Sequence, residues 1–131
     1  MRLIVFLFLL LPFFASSQGS DQQLAVQYFQ AGEFDKAALY YEKLYNKNQS
    51  DYFYNYYLKC LLELKEFKEA EKLVKKQQKK NQGNLKYFVD LGDVYKQQGD
   101  VAKAKKEYDN AIKDLTGDVQ QVRNLALSFR D

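Results

Sequence analysis

Apolar residues recur at intervals of three and four through most of the chain after Gln18. Leu24, Ala25 and Tyr28 form one set, Tyr54, Tyr57 and Leu61 a second, and Phe88, Leu91 and Tyr95 a third. Each set lies on one face of a helix. Shorter sets follow them, Ala37 with Tyr41, Ala70, and Ala104 with Tyr108 and Ala111, and each predicts a second helix. Between the two helices of every pair stands the same short phrase: Gly32-Glu33-Phe34-Asp35-Lys36-Ala37, Lys65-Glu66-Phe67-Lys68-Glu69-Ala70 and Gly99-Asp100-Val101-Ala102-Lys103-Ala104. A turn residue or Lys comes first, an acid second, an apolar residue third and Ala sixth. The phrase returns after 33 and then 34 residues. Such a period marks a solenoid of helix pairs, none of which buries its apolar face alone. Turn-formers at 46–50, 81–84 and 116–118 separate the pairs, with Ser50, Asn84 and Asp118 placed to cap the helices that follow.

The first residues follow a different pattern. Met1-Arg2 supplies a positive charge, residues 3–11 are unbrokenly apolar, and Ala15-Ser16-Ser17 offers small residues before Gln18. This is the layout of a cleavable secretory signal over 1–17. An uncleaved anchor is the competing reading, but the apolar run falls short of the ~20 residues a spanning helix needs, and Pro12 interrupts it. No Cys stands at the cleavage point to take a lipid. The expectation is an exported protein, periplasmic or extracellular and envelope-associated at most, with no stable membrane insertion after cleavage.

Loss of Arg2 takes the net charge from +3 to +2, which is near neutral for a chain with 28% charged residues. Nucleic acid is not expected as a partner, since that requires a concentrated basic face. Cys60 is the one cysteine, so no internal disulfide can form; it reads as a small, partly buried helix residue, with a reactive thiol or an intermolecular bridge as the alternative. The absence of His removes Ser-His-Asp and Cys-His catalysis and the commonest transition-metal ligand. No phosphate loop, paired-carboxylate signature or metal-ligand spacing stands in their place. The chain is therefore read as non-catalytic and without a cofactor or metal. Asn48-Gln49-Ser50 fits a glycosylation acceptor, a pattern too short to carry weight.

In these features the chain resembles the tetratricopeptide repeat family, whose unit is two antiparallel helices of about 34 residues. With Leu85 as position 1, Phe88, Leu91, Gly92 and Tyr95 fall at positions 4, 7, 8 and 11, and Ala104, Tyr108 and Ala111 at 20, 24 and 27. The resemblance divides the chain into units at 18–50, 51–84 and 85–118, with a partial fourth at 119–131. The middle unit departs from the pattern: Leu58 stands at position 8 and Gln77 at position 27, where small residues are usual, so its helices should sit farther apart or be slightly rotated. Pro at position 32 is missing from all three units. Val122, Leu125, Ala126 and Phe129 restart the register, and apolar residues spread around much of that helix. This reads as the first half of a fourth unit whose second helix is missing. The implied fold is all-α, a right-handed solenoid of about three helix-turn-helix units plus one helix.

The resemblance also implies a groove lined by positions 2, 5, 9, 12 and 13 of the first helices. Those positions hold Gln22, Val26, Phe29 and Gln30 in the first unit and Tyr52, Asn55, Lys59, Leu62 and Glu63 in the second. In the third they hold Lys86, Val89, Asp93, Lys96 and Gln97. Mixed charge with amide and aromatic content suits an extended peptide or a partner helix. The Lys and Asn of the family's carboxylate clamp are replaced by Gln22 and Val26, so that ligand class is not carried over. Of the aromatic run at 52–57, Phe53, Tyr54 and Tyr57 are expected in the core, leaving Tyr52 and Tyr56 for binding. Lys72, Lys75, Lys76, Lys79 and Lys80 form a basic run that suits an anionic surface or polymer, or simply a solvated face. The implied function is a scaffold that docks a protein partner in the groove. The alternative is a docking or sensor arm of a longer envelope enzyme or signalling protein.

Overall fold

The computed structural model describes residues 17–130 except residue 116. The expected signal segment therefore falls almost wholly outside the described residues. Seven α-helices follow one another: α1 (Ser17–Gln30), α2 (Phe34–Lys47), α3 (Asp51–Glu63), α4 (Phe67–Lys80), α5 (Lys86–Gln98), α6 (Val101–Lys113) and α7 (Val119–Ser128). No strand occurs among the described residues. Each helix packs against its sequence neighbour through α6, and α7 returns onto α5. This is the stacked helix-pair solenoid that the period predicts.

The repeated phrase has one local cause. In all three turns the first residue takes a left-handed backbone, with φ of 73° at Gly32, 58° at Lys65 and 91° at Gly99. Its N–H donates to the carbonyl three residues back, from Gly32 to Phe29, Lys65 to Leu62 and Gly99 to Lys96. The acidic residue after it donates five back, from Glu33 to Tyr28, Glu66 to Leu61 and Asp100 to Tyr95. That pair of bonds is the Schellman closure of a helix C-terminus, and it satisfies carbonyls that would otherwise lack donors. The same acid is the N-cap of the next helix, so one residue ends a helix and starts another. The sixth residue of the phrase, Ala37, Ala70 or Ala104, is buried at the crossing of the pair.

Capping between units follows the turn-formers with one correction. Ser50 Oγ accepts from Phe53 N at 3.4 Å, and Asp118 Oδ1 accepts from Gln120 N at 2.7 Å and Gln121 N at 3.1 Å. Asn84 does not occupy the cap position itself. Leu85 intervenes as N-cap, and Asn84 Oδ1 reaches past it to Lys86 N at 3.1 Å.

The main core runs through α1–α6 and is rich in tyrosine: Tyr41, Tyr45, Tyr54, Tyr87 and Tyr95 are buried beside Leu44, Leu58, Leu61, Leu91 and Val94. A second, smaller core joins Leu85 and Val89 of α5 to Ala111 of α6 and Leu125 of α7. The middle pair behaves as Leu58 and Gln77 predict, because the backbones of α3 and α4 come close in far fewer places than those of α1–α2 or α5–α6. Gln77 is nonetheless buried. Its amide N–H donates to the Tyr45 hydroxyl, and its carbonyl oxygen accepts from Asn81 Nδ2 at 2.8 Å. A polar residue where Ala is usual is thus satisfied rather than stranded. On α7, Leu125 is buried while Val119, Val122 and Leu127 remain exposed, as does Phe129 just after its end.

Candidate functional site: the inter-helix groove

Residues from α1, the start of α2, α3, α5 and the end of α7 line one groove of about 500 Å³. On α3 the lining stripe is Asn55, Leu58, Lys59, Leu62 and Glu63; on α5 it is Lys86, Asp90, Asp93 and Gln97. Both stripes follow helical spacing, so each helix turns one polar-edged face toward the groove while its other faces fill the core. Phe29 and Phe34 wall the α1 end and Ser128 the α7 end. Phe29 is locked by edge-to-face contacts with Phe34, Tyr41 and Tyr56, whose centroids lie at 5.5, 6.2 and 5.0 Å. The floor at this end is apolar and rigid.

The α5 side is built around Asp90. Lys86 Nζ donates to both of its carboxylate oxygens, at 2.9 Å and 2.7 Å, and the Tyr54 hydroxyl donates to Oδ2 at 2.7 Å. Lys86 also lies over the rings of Tyr54 and Tyr87, at 5.2 and 5.9 Å from their centroids. Burial pushes the Asp90 carboxyl above its ordinary range, outweighing the pull of Lys86 and the Tyr54 hydrogen bond. The Tyr54 hydroxyl is raised well above 10, first by burial and then by the Asp90 charge. One turn on, Asp93 Oδ1 accepts from the Tyr108 hydroxyl at 2.5 Å, which ties the groove to α6. Glu63 and Lys59 make no ion pair among the described residues, so they are the charges free to meet a ligand.

Eight of the expected groove residues come together here: Phe29, Asn55, Lys59, Leu62, Glu63, Lys86, Asp93 and Gln97. The others do not. Val89 is a correction: it is 0% exposed and belongs to the small core with Leu85, Ala111 and Leu125. Helix α7 packs on α5 at that side, so α5 turns Asp90 rather than Val89 to the groove, beside the expected Lys86, Asp93 and Gln97. Lys96 is exposed but lies off the groove. Gln22 and Val26 line a separate shallow depression on α1 with Gly19, Gln23 and Gln27. Tyr52 is exposed outside the groove, its ring against Phe53 and Tyr56 at 5.4 and 4.8 Å. Tyr56 is half-buried and stacks on Tyr41 at 5.1 Å, so it serves the core.

Sequence reading missed Phe34, Leu58, Asp90 and Ser128. For Asp90 a signal existed, since Lys86 and Asp90 stand four apart on one helix, the spacing of an ion pair. Phe34 carried no such mark, because the turn phrase assigned it only a structural place.

A model of the tetratricopeptide repeat family matches residues 15–127. No curated protein matches the chain. Among solved structures, the TPR2AB-domain:pHSP90 complex of yeast Sti1 is similar at a TM-score of 0.60 and 17% identity. That match covers 88% of this chain and 47% of the yeast one, so the chain spans about half the length of that relative. The N-terminal domain of stress-induced protein-1 from C. elegans is similar at a TM-score of 0.57 and 18% identity, covering 86% of this chain and 94% of the other. At these identities the two likenesses concern the fold. The family match spans nearly all of the described helices, and the helix pairs carry its register. The chain belongs to the tetratricopeptide repeat family.

Proposed function

We propose that the chain is a non-catalytic docking module that holds an extended peptide or a partner helix in the groove between α3 and α5. One observation carries this reading: a single open groove joins a rigid apolar end at Phe29, Phe34 and Leu62 to a polar side at Asn55, Lys59, Glu63 and Asp93. An apolar anchor beside a few fixed polar groups is what peptide recognition needs. Repeat proteins of this kind are interaction modules, and their stacked units create extended binding surfaces. The yeast Sti1 likeness is to a structure in complex with pHSP90. The groove lining mixes apolar side chains with both charges, Lys59 and Lys86 against Glu63, Asp90 and Asp93, so a segment with mixed apolar and polar side chains fits better than an acidic tail.

A photo-crosslinking amino acid placed at Asn55, and separately at the exposed Leu39 on α2, tests this in intact cells. Discrete adducts from Asn55 that are absent from Leu39 would support the groove. Adducts from Leu39 with none from Asn55 would place binding elsewhere. We read the protein as exported, on the charge, apolar run and small-residue exit of 1–17. An intact mass beginning at Gln18 is expected of the mature protein, and a retained Met1 would refute it.

A further inference from the structure

We infer that the outer face of α4 is an electrostatic docking surface for anionic lipid headgroups, separate from the groove and used while the groove is occupied. Helix α4 carries Lys68, Lys72, Lys75, Lys76, Lys79 and Lys80 against only Glu69 and Glu71. Its net charge of +4 exceeds the +3 of the entire chain, so the remainder is slightly acidic. All six lysines are exposed, and together with Glu71 they line one shallow surface trough.

Internal pairing leaves most of this charge available. Lys72 meets Glu69 at a long 3.6 Å, with both side chains exposed, and such a pair contributes little. Lys75 is the exception. It is held by Glu71 at 2.5 Å, and Glu71 in turn accepts from the Tyr95 hydroxyl at 3.0 Å. Lys76 lies 5.9 Å from the Tyr45 ring centroid and Lys80 donates to the Gln49 amide oxygen, contacts that orient each ammonium and leave its charge in place. Lys68 and Lys79 have no ion-pair partner among the described residues.

The chemistry of the face selects the partner class. The apolar residues of α4, Ala70, Leu73 and Val74, are buried in the core, so a protein partner would find no anchor to bury there. The face offers no Arg for bidentate base or phosphate recognition and no exposed aromatic ring for base stacking. What it offers is a row of lysine point charges on flexible stems. A bilayer surface requires nothing more, because attraction to anionic lipid grows with each lysine brought near it. The same absence of exposed apolar side chains excludes insertion, so binding is peripheral and salt-sensitive. None of these lysines lines the groove, so adsorption through α4 leaves the groove open.

Co-sedimentation of the full chain with vesicles of phosphatidylglycerol in phosphatidylcholine, against pure phosphatidylcholine, tests the inference. Substituting Lys68, Lys72 and Lys79 by Gln removes three charges that hold no core contact. Partitioning onto the anionic vesicles should fall about a hundredfold, from the attraction of each lysine near the surface. The matched removal of Lys105, Lys106 and Lys113 from α6 should change it less than about tenfold, and Arg at the three α4 positions should restore it. Equal circular dichroism and melting temperature confirm that every variant is folded. No preference of the parent chain for phosphatidylglycerol would overturn the inference, as would equal losses from the α4 and α6 variants. Binding to soluble polyglutamate with no gain on anionic vesicles would also overturn it, assigning the face to an acidic protein segment.

Discussion

A Cβ built on Gly92 of α5 would stand 2.3 Å from Cε1 of Tyr108 on α6, with two more ring atoms inside 3.0 Å. Glycine is therefore required here by the approach of two helices, in a segment whose backbone is ordinary helix. The ring cannot swing away freely because its hydroxyl is bonded to Asp93. Gly92→Ala should lower stability by about 1–3 kcal/mol through overpacking, in spite of the better helix propensity of Ala. In a Tyr108→Ala background the same change should become neutral or favourable by about 0.5–1 kcal/mol. Thermal melts of the four proteins check this. A Gly92→Ala protein that melts like the parent would refute the contact.

Lys65 bears the opposite mismatch. It adopts φ +58° at the turn position where the other two units place glycine. The left-handed region costs a side-chain-bearing residue roughly 1–2 kcal/mol, part of which glycine returns through the greater entropy of its unfolded chain. Lys65→Gly is expected to stabilise the protein by up to about 1 kcal/mol. Denaturant titration should show a higher midpoint at unchanged slope, and a lower midpoint would contradict the strain.

Asp90 predicts a pH dependence. Its folded pKa is raised above the ordinary 3.8 by burial. The stability linked to that shift is fully present below the unfolded value and is lost as pH rises through the folded one. On acidification from neutral pH toward 3.8, the parent should therefore gain stability relative to Asp90→Asn. Melting temperatures of the two proteins across that range measure it. A difference that moves the other way would mean that Lys86 and Tyr54 govern the carboxylate more than burial does.

Cys60 is 0% exposed and its thiol is pushed up to about 12 by burial. Little thiolate exists near neutral pH, and a reagent must wait for the helix pair to open. Labelling by a disulfide reagent should run at the rate of unfolding and accelerate with denaturant. Complete labelling of the native protein within the mixing time would show that the α3 packing is looser than described.

The chain by itself determined the local structure. The 33 and 34 residue returns of Gly32, Lys65 and Gly99, the acid after each and Ala37, Ala70 and Ala104 specify helix, Schellman turn and helix, because capping and close approach depend on residue type a few positions away. Buried Ala and Tyr54, and the wider middle pair, follow from the same register. Which side of each helix faces the groove was decided only by the tertiary structure. A one-dimensional period places Val89 and Asp90 with equal ease, since they are adjacent residues about 100° apart on one helix. The packing of Leu125 from α7 onto Val89 chose between them and turned Asp90 toward Tyr54 and Lys86. That contact joins residues 36 positions apart across two repeats, and its geometry depends on how one unit rotates on the next, which no local preference encodes.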